Sequence, residues 1–314
     1  MSRGVAVFSA RHVEAAVSPS VAVDAVRDAF VAHHRGEWTM PPKVYVTNYP
    51  AGDFRAMPAL GGGHALLKWV TSFPGNPARG LPTVSGLVLV SNAETGELEA
   101  LLDAGAVTAI RTGAAAVLAA ETLAREDAGP AAVIGAGVNG IAAARTFVAR
   151  GREVLVWDLD ADRAAGAAAE IGGTVAGSRD EALSADIVVT VTPGKETLFG
   201  PGALQPGQHV SLMGADGPGK AEIEASELGW TRVFCDDWEQ ASHSGDIAHA
   251  VEAGLLGRDD VTQLGAVLAG EAAGRQSEEE ITIFDSTGLA IQDLAIAKAC
   301  LERIGELDVP RVAL

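Results

Sequence analysis

Ala131-Ala-Val-Ile-Gly135-Ala-Gly137-Val-Asn-Gly140 reads as a short apolar strand running through a glycine turn into a helix. In a dinucleotide-binding fingerprint the first glycine permits the tight turn, the second lets the backbone approach a pyrophosphate, and the third lets the helix pack on the strand. The helix start adds free N–H groups for phosphate oxygens. A bare glycine triplet matches by chance, but this one has its context: apolar Ala131 to Ile134 before it, and helix formers from Ile141 to Ala149 after it. A second strand, Glu153 to Trp157, ends in Asp158, about 20 residues on, where an acid binds the adenosine ribose hydroxyls. A carboxylate there repels a 2′-phosphate, and Leu159 and Asp160 supply no arginine to hold one, so NAD is expected over NADP.

Downstream the alternation continues: a helix over about 161–170, strands near Thr174, over Asp186–Thr192, at His209–Met213 and at Arg232–Cys235, and a last strand Ile281–Phe284 leading into a helix over about 289–304. Strands alternating with helices predict a parallel sheet covered on both faces, a Rossmann domain. The front of the chain follows another rule. Ser18-Pro19 opens a helix to about His34, with Ser18 as cap and Pro19 in the first turn. Strand-like segments then follow at Val44–Thr47, Phe54–Met57, Ala65–Ser72, Gly86–Val90 and Leu98–Leu102, which predicts an α+β domain with an antiparallel sheet. An alanine-rich helix over Val107–Arg125 carries the chain to the fingerprint.

At 314 residues and 48% hydrophobic, the chain is long enough for two domains. A formal charge of −18 argues against nucleic acid or an anionic membrane as partner, since both select clustered Lys and Arg. No apolar run is read as approaching the roughly 18 residues of a membrane span and no signal-peptide core is seen, so a cytoplasmic protein is expected. Cys235 and Cys300, two and far apart, fit a reducing compartment. The seven histidines show no ligand spacing, His33 and His34 read as surface and rim residues, and no metal is expected.

Three side chains stand out as chemistry. Arg111 lies on a very apolar helix with no acid three or four residues away, so it needs an anion from elsewhere: a substrate carboxylate, or a distant Asp or Glu. Lys68 shares a strand face with Leu66 and Val70 if alternation holds, so its ammonium is either structurally paired or a site residue with a shifted pKa. Asp216 follows a sheet strand in a loop of three glycines and a proline, where α/β proteins bind ligands; a plain turn aspartate is the alternative. Asp285-Ser286-Thr287-Gly288 is either a helix cap or a polar lip on a cofactor site.

The runs Met57-Pro-Ala, Lys68-Trp, Thr108-Ala-Ile-Arg111-Thr, Gly135-Ala-Gly137, Thr190-Val-Thr192, Gly214-Ala-Asp216-Gly-Pro-Gly-Lys220, Gly274-Arg-Gln and Thr282 to Asp293 together resemble the ornithine cyclodeaminase/mu-crystallin family. The likeness covers nearly the whole chain in order. It implies a homodimer, with residues 1–125 and 288–314 forming a substrate-binding and dimerisation domain and 126–287 a Rossmann NAD-binding domain. Carried over by motif, Lys43, Lys68 and Arg111 hold the substrate carboxylate. Thr83 lines the substrate and nicotinamide site, and Arg111 reaches the cofactor as well. Asp216, with Lys68, is the catalytic group handling the amine or imine proton. Gly135, Gly137, Val138, Asn139, Asp158, Thr192, Lys220 and Ser286 contact the dinucleotide.

The shared chemistry implied is hydride exchange between an amino acid's α-carbon and nicotinamide C4. Arg55 stands where the cyclodeaminases resemble one another in having glutamate, and a positive side chain there, if it points inward, repels a terminal ammonium. An NAD-dependent amino acid dehydrogenase or imine/ketimine reductase, on a small α-amino acid or its cyclic imine, is therefore expected ahead of an ornithine-type cyclodeaminase. Asp216, replaced in mu-crystallin itself, disfavours a cofactor-bound binding protein of that type.

Overall fold

In the computed structural model, residues 4–194, 196–215, 217 and 219–313 are described. The chain forms two compact units, 1–111 with 289–314 and 112–288. The division falls inside the long alanine-rich helix.

The first unit carries strands β1 (Val5–Phe8), β2 (Val44–Asn48), β3 (Gly52–Gly61), β4 (His64–Ser72), β5 (Val84–Asn92) and β6 (Leu98–Asp103). With the C-terminal strand Arg311–Val312 they make a seven-stranded sheet in the order Arg311–Val312, β1, β6, β5, β4, β3, β2. From β2 to β6 the pairing is antiparallel, as the turn chemistry predicts. The sheet as a whole is mixed, because β1 runs parallel to β6 and the C-terminal strand closes on β1. That partnership joins sequence-distant segments, so local turn signals do not report it.

Alternation along β4 is strict. Leu66, Lys68 and Val70 are buried while Leu67 and Trp69 are exposed, which places the Lys68 ammonium inside. Facing residues on β3 follow from register: Met57 opposite Lys68 and Arg55 opposite Val70, both buried. The helix Pro19–His34 is capped by the Ser18 side chain, which accepts the Val21 N–H, and it packs on the helix Ala290–Glu302, whose body is almost wholly buried.

The long helix spans Ala104–Leu123 and starts three residues earlier than its apolar run suggests, because the Asp103 carboxylate accepts the Ala106 N–H. It also corrects the reading of hydropathy: its 20 residues are long and apolar enough to cross a membrane by composition, yet 78% of the apolar window is buried inside the protein. It is a core helix. Gly113 makes this possible in the second unit, since a Cβ there would stand 2.6 Å from the Ala142 carbonyl oxygen.

The second unit holds β7 (Ala131–Ile134), β8 (Val154–Trp157), β9 (Thr174–Val175), β10 (Ile187–Thr190), β11 (His209–Leu212), β12 (Arg232–Cys235), β13 (Val261–Gln263) and β14 (Thr282–Asp285). Their order is β13-β12-β14-β11-β10-β7-β8-β9 and every pairing is parallel. From β7 the chain winds outward through β8 to β9, then returns past β7 to β10 and winds the other way. This is the Rossmann arrangement, and its switch point lies between β7 and β10.

Candidate active site

In the first unit, Lys68 Nζ donates to Asp293 Oδ1 at 2.9 Å, with both side chains essentially out of water. Arg111 Nε stands 3.6 Å from the same oxygen, and Arg111 Nη1 donates to Gln292 Oε1 at 3.4 Å. The distant acid that Arg111 needs is therefore Asp293, shared with Lys68. Two cations thus rest on one carboxylate, and the cluster keeps a net positive charge. Among the described residues, Arg111 Nε, Gln292 Nε2 and Asp293 Oδ2 are buried polar atoms without a hydrogen-bond partner. Two of these three are donors, and a buried donor left unpaired by the protein is completed by water, an ion or a ligand.

Burial pulls the Lys68 pKa down to about 8, against the pull of Asp293 upward and with Arg111 and Arg55 pushing in the same direction as burial. At neutral pH it is still cationic. Arg55 does point inward on the Lys68 face, but it is not bare: its Nε and Nη2 donate to the two oxygens of Asp53 at 2.6 and 3.3 Å, and it lies over the Tyr45 ring. Lys43 is half-buried just ahead of β2. Thr83, half-buried just ahead of β5, gives its carbonyl to the Phe73 N–H.

In the second unit the glycine turn has the geometry its sequence implies. Gly135 has φ +103°, and a Cβ on it would stand 2.6 Å from the Val191 carbonyl oxygen. A Cβ on Gly140 would overlap the Gly135 carbonyl oxygen, so helix and strand touch there. Gly137 caps the helix Val138–Ala149 and has open space where its side chain would be. Val138 is 72% exposed, and Asn139 is half-buried beside it. An open backbone, a glycine without neighbours and the N-terminus of a twelve-residue helix suit a pyrophosphate.

Asp158 accepts the Ala136 N–H on Oδ2 and the Asp160 N–H on Oδ1, which ties it to the turn. The next helix also brings Arg163 Nη1 to 3.6 Å from Asp158, an arginine that reading only Leu159 and Asp160 does not count.

Thr192 donates its hydroxyl and its N–H to Glu222 Oε1 at 2.6 and 2.8 Å. Ser286 is buried, and its hydroxyl donates to Asp236 rather than standing open. Lys220 is half-buried at the end of the loop after β11. Asp216 lies outside the described residues. Gln292, Asp293 and Glu222 were not singled out in the sequence. A Gln-Asp pair inside the otherwise apolar run Leu289 to Ala297 is the signal that marks the first two; Glu222 sits in a loop and carries no comparable mark. Among the described residues no group of three His, Cys, Asp or Glu is placed to hold a metal ion.

The family model described as the ornithine cyclodeaminase/mu-crystallin family matches residues 4–307. The chain belongs to that family. An alanine dehydrogenase of Archaeoglobus fulgidus is 42% identical over 304 residues, covering 94% of each chain. Among solved structures, an archaeal alanine dehydrogenase dimer with bound NAD superposes with a TM-score of 0.92 at 38% identity, over 99% of both chains. The Delta(1)-pyrroline-2-carboxylate reductase of Thermococcus litoralis, in complex with NADH and L-proline, gives 0.91 at 26% identity over 98% of this chain and all of that one.

Proposed function

We propose that the protein is an NAD-dependent oxidoreductase acting on a small α-amino acid or on its imine. The observation that carries this is the buried cluster of Lys68 and Arg111 on Asp293, with its surplus positive charge and its unpartnered donors on Arg111 and Gln292. One bound carboxylate neutralises the cluster and supplies the missing acceptors. The family relatives that act on alanine and on pyrroline-2-carboxylate support the same reading, as do the NAD and NADH in the related structures.

In this reading Lys68 and Arg111, with Lys43 and Thr83, fix the substrate so that its α-carbon is held for hydride exchange. Asp216 handles the proton on nitrogen. The dinucleotide supplies the hydride acceptor and donor when bound. Gly135, Gly137, Val138 and Asn139 hold its pyrophosphate, and Asp158 its adenosine ribose; Thr192, Lys220 and Ser286 complete that site. For the amino acid direction the products are a 2-oxo acid, ammonium, NADH and a proton. Fixing the reacting carbon turns a two-body encounter into one oriented step, which supplies much of the acceleration.

Arg55 shapes the side-chain end of the pocket. Its charge is met by Asp53, so the pair presents no net charge and calls for neither a second carboxylate nor a terminal ammonium on the substrate. A small neutral side chain is the substrate this favours. The test is a turnover panel with NADH and NADPH, offering pyruvate with ammonia, pyrroline-2-carboxylate, and ornithine. The expected result is NADH oxidation on the first or second and preference for NADH. Proline and ammonia formed from ornithine without net change in NADH would make the protein a cyclodeaminase instead.

The sheet face opposite Lys68 presents Val46 on β2, Leu67 and Trp69 on β4 and Leu87 on β5, all large, apolar and 40% exposed or more. An apolar sheet face of this size favours a cover, and a second copy of the chain is the cover we propose, in keeping with the dimeric archaeal relative. Sedimentation should give twice 32.1 kDa, and Trp69→Glu should give monomer; a monomeric wild-type protein removes the proposal. The two buried free thiols, Cys235 and Cys300, fit a cytoplasmic setting.

A further inference from the structure

Glu222 is fully buried, and each of its oxygens takes two donors. Oε1 accepts the Thr192 N–H and hydroxyl at 2.8 and 2.6 Å. Oε2 accepts the Thr190 hydroxyl at 2.7 Å and the Gly214 N–H at 2.8 Å. Thr190 ends β10 and Thr192 lies two residues past it; Gly214 lies two residues past the end of β11. A single carboxylate therefore ties together the carboxyl ends of two neighbouring strands.

The surroundings show how tightly this is built. A Cβ on Gly214 would stand 2.3 Å from the Thr192 carbonyl oxygen and 2.5 Å from Glu222 Oε1, so any side chain at 214 displaces the carboxylate. On the other side, the Gly135 Cβ position is 2.6 Å from the Val191 carbonyl oxygen and 3.6 Å from Thr192 Cγ2. Gly135, Thr192, Gly214 and Glu222 form one contiguous stack at the switch point. The Glu222 backbone is fixed in turn, its N–H donating to Asp246 Oδ1 at 2.5 Å. Burial pushes the Glu222 carboxyl pKa upward, and the donors from Thr192, Thr190 and Gly214 pull it back.

In a doubly wound sheet the strand pair on the fingerprint side serves the adenosine half of a dinucleotide, and the pair across the switch point serves the other half. We propose that Glu222 is a positioning residue: through Thr192 and Gly214 it sets the backbone against which the nicotinamide half of the dinucleotide rests, leaving the adenosine half to Gly137 and Asp158. This rests on the dinucleotide reading above.

Glu222→Gln keeps the size but replaces an acceptor with an amide N–H₂ that must face a donor, at Gly214 or Thr192. The test compares NADH with ADP-ribose, which lacks the nicotinamide, by calorimetric titration of wild type and variant, with a thermal melt alongside. The expected result is an NADH affinity about tenfold weaker, the scale of one charge-assisted hydrogen bond, with ADP-ribose affinity unchanged. Equal loss for both ligands, or no loss for either, overturns the proposal. Wild-type protein that binds neither ligand overturns the dinucleotide reading itself, a distinguishable failure. Should Glu222→Gln not fold, Thr190→Val removes one of the four donors at a residue given no cofactor contact and is expected to show the same asymmetry at about threefold; symmetry there overturns the proposal equally.

Discussion

Replacing Asp293 with alanine is expected to lower stability by about 3–5 kcal/mol, among the largest effects of any single substitution in this chain. Asp293 is the acid that Lys68 and Arg111 face, at 2.9 and 3.6 Å, and its side chain is wholly buried. Removing it leaves two cations in a low-dielectric interior, with Arg111 still donating to the Gln292 oxygen. The loss is bounded because Lys68, its pKa already down to about 8, can shed its proton and become neutral. Urea unfolding reads the change. A companion variant, Lys68→Met and Arg111→Met with Asp293→Leu, is expected to recover much of the loss, since a buried charge triad replaced by apolar groups is often neutral or stabilising. A loss below about 1 kcal/mol for Asp293→Ala would mean that water reaches the cluster and the cations are not held as drawn.

Arg111→Ala is expected to weaken binding of a small carboxylate such as pyruvate by about 2–4 kcal/mol, between one and three orders of magnitude, with NAD affinity nearly unchanged. The reasoning is that Arg111 Nε, 3.6 Å from Asp293, has no hydrogen-bond partner among the described residues and belongs to a cluster with one positive charge in excess. The carboxylate meets a donor that is already desolvated and aimed, so the contact is close to its full charge-assisted strength. Equal loss of NAD binding would instead give Arg111 a role in the cofactor site or in folding. Calorimetry with pyruvate titrated into the protein and NAD reads both affinities without turnover.

Much of this was legible in the chain before the structure, and the reason is range. The Gly135–Gly140 turn, Asp158 at the end of β8 and the inward direction of Lys68 follow from contacts within a few residues, which periodicity and glycine placement report directly. Asp293 closes on Lys68 from 225 positions away, and the Glu222 carboxylate reaches across 30 residues to Thr192, so neither partnership leaves a local pattern. The same holds for β1, whose parallel partner β6 lies on the far side of the sheet hairpins. Arg55 shows the complementary limit. Its burial follows from strand alternation with Met57, but its neutralisation by Asp53, two residues back on the same face, decides what it does and depends on rotamers no pattern specifies.

The Lys68 pKa links the cluster to pH with a definite sign. Between about 8 and the ordinary lysine value of 10.5 the unfolded chain binds more protons at this position than the folded one, so its contribution to stability rises with pH across that window. Carboxylate binding must run the other way, because only the protonated ammonium attracts an anion. Pyruvate titrated into the wild-type protein with NAD from pH 6 to pH 10 should therefore bind with constant affinity up to about 8, then weaken by up to tenfold per pH unit while taking up a proton. Affinity that stays flat through pH 10, or no pyruvate binding at pH 7, would contradict a clamp built on Lys68 and Arg111.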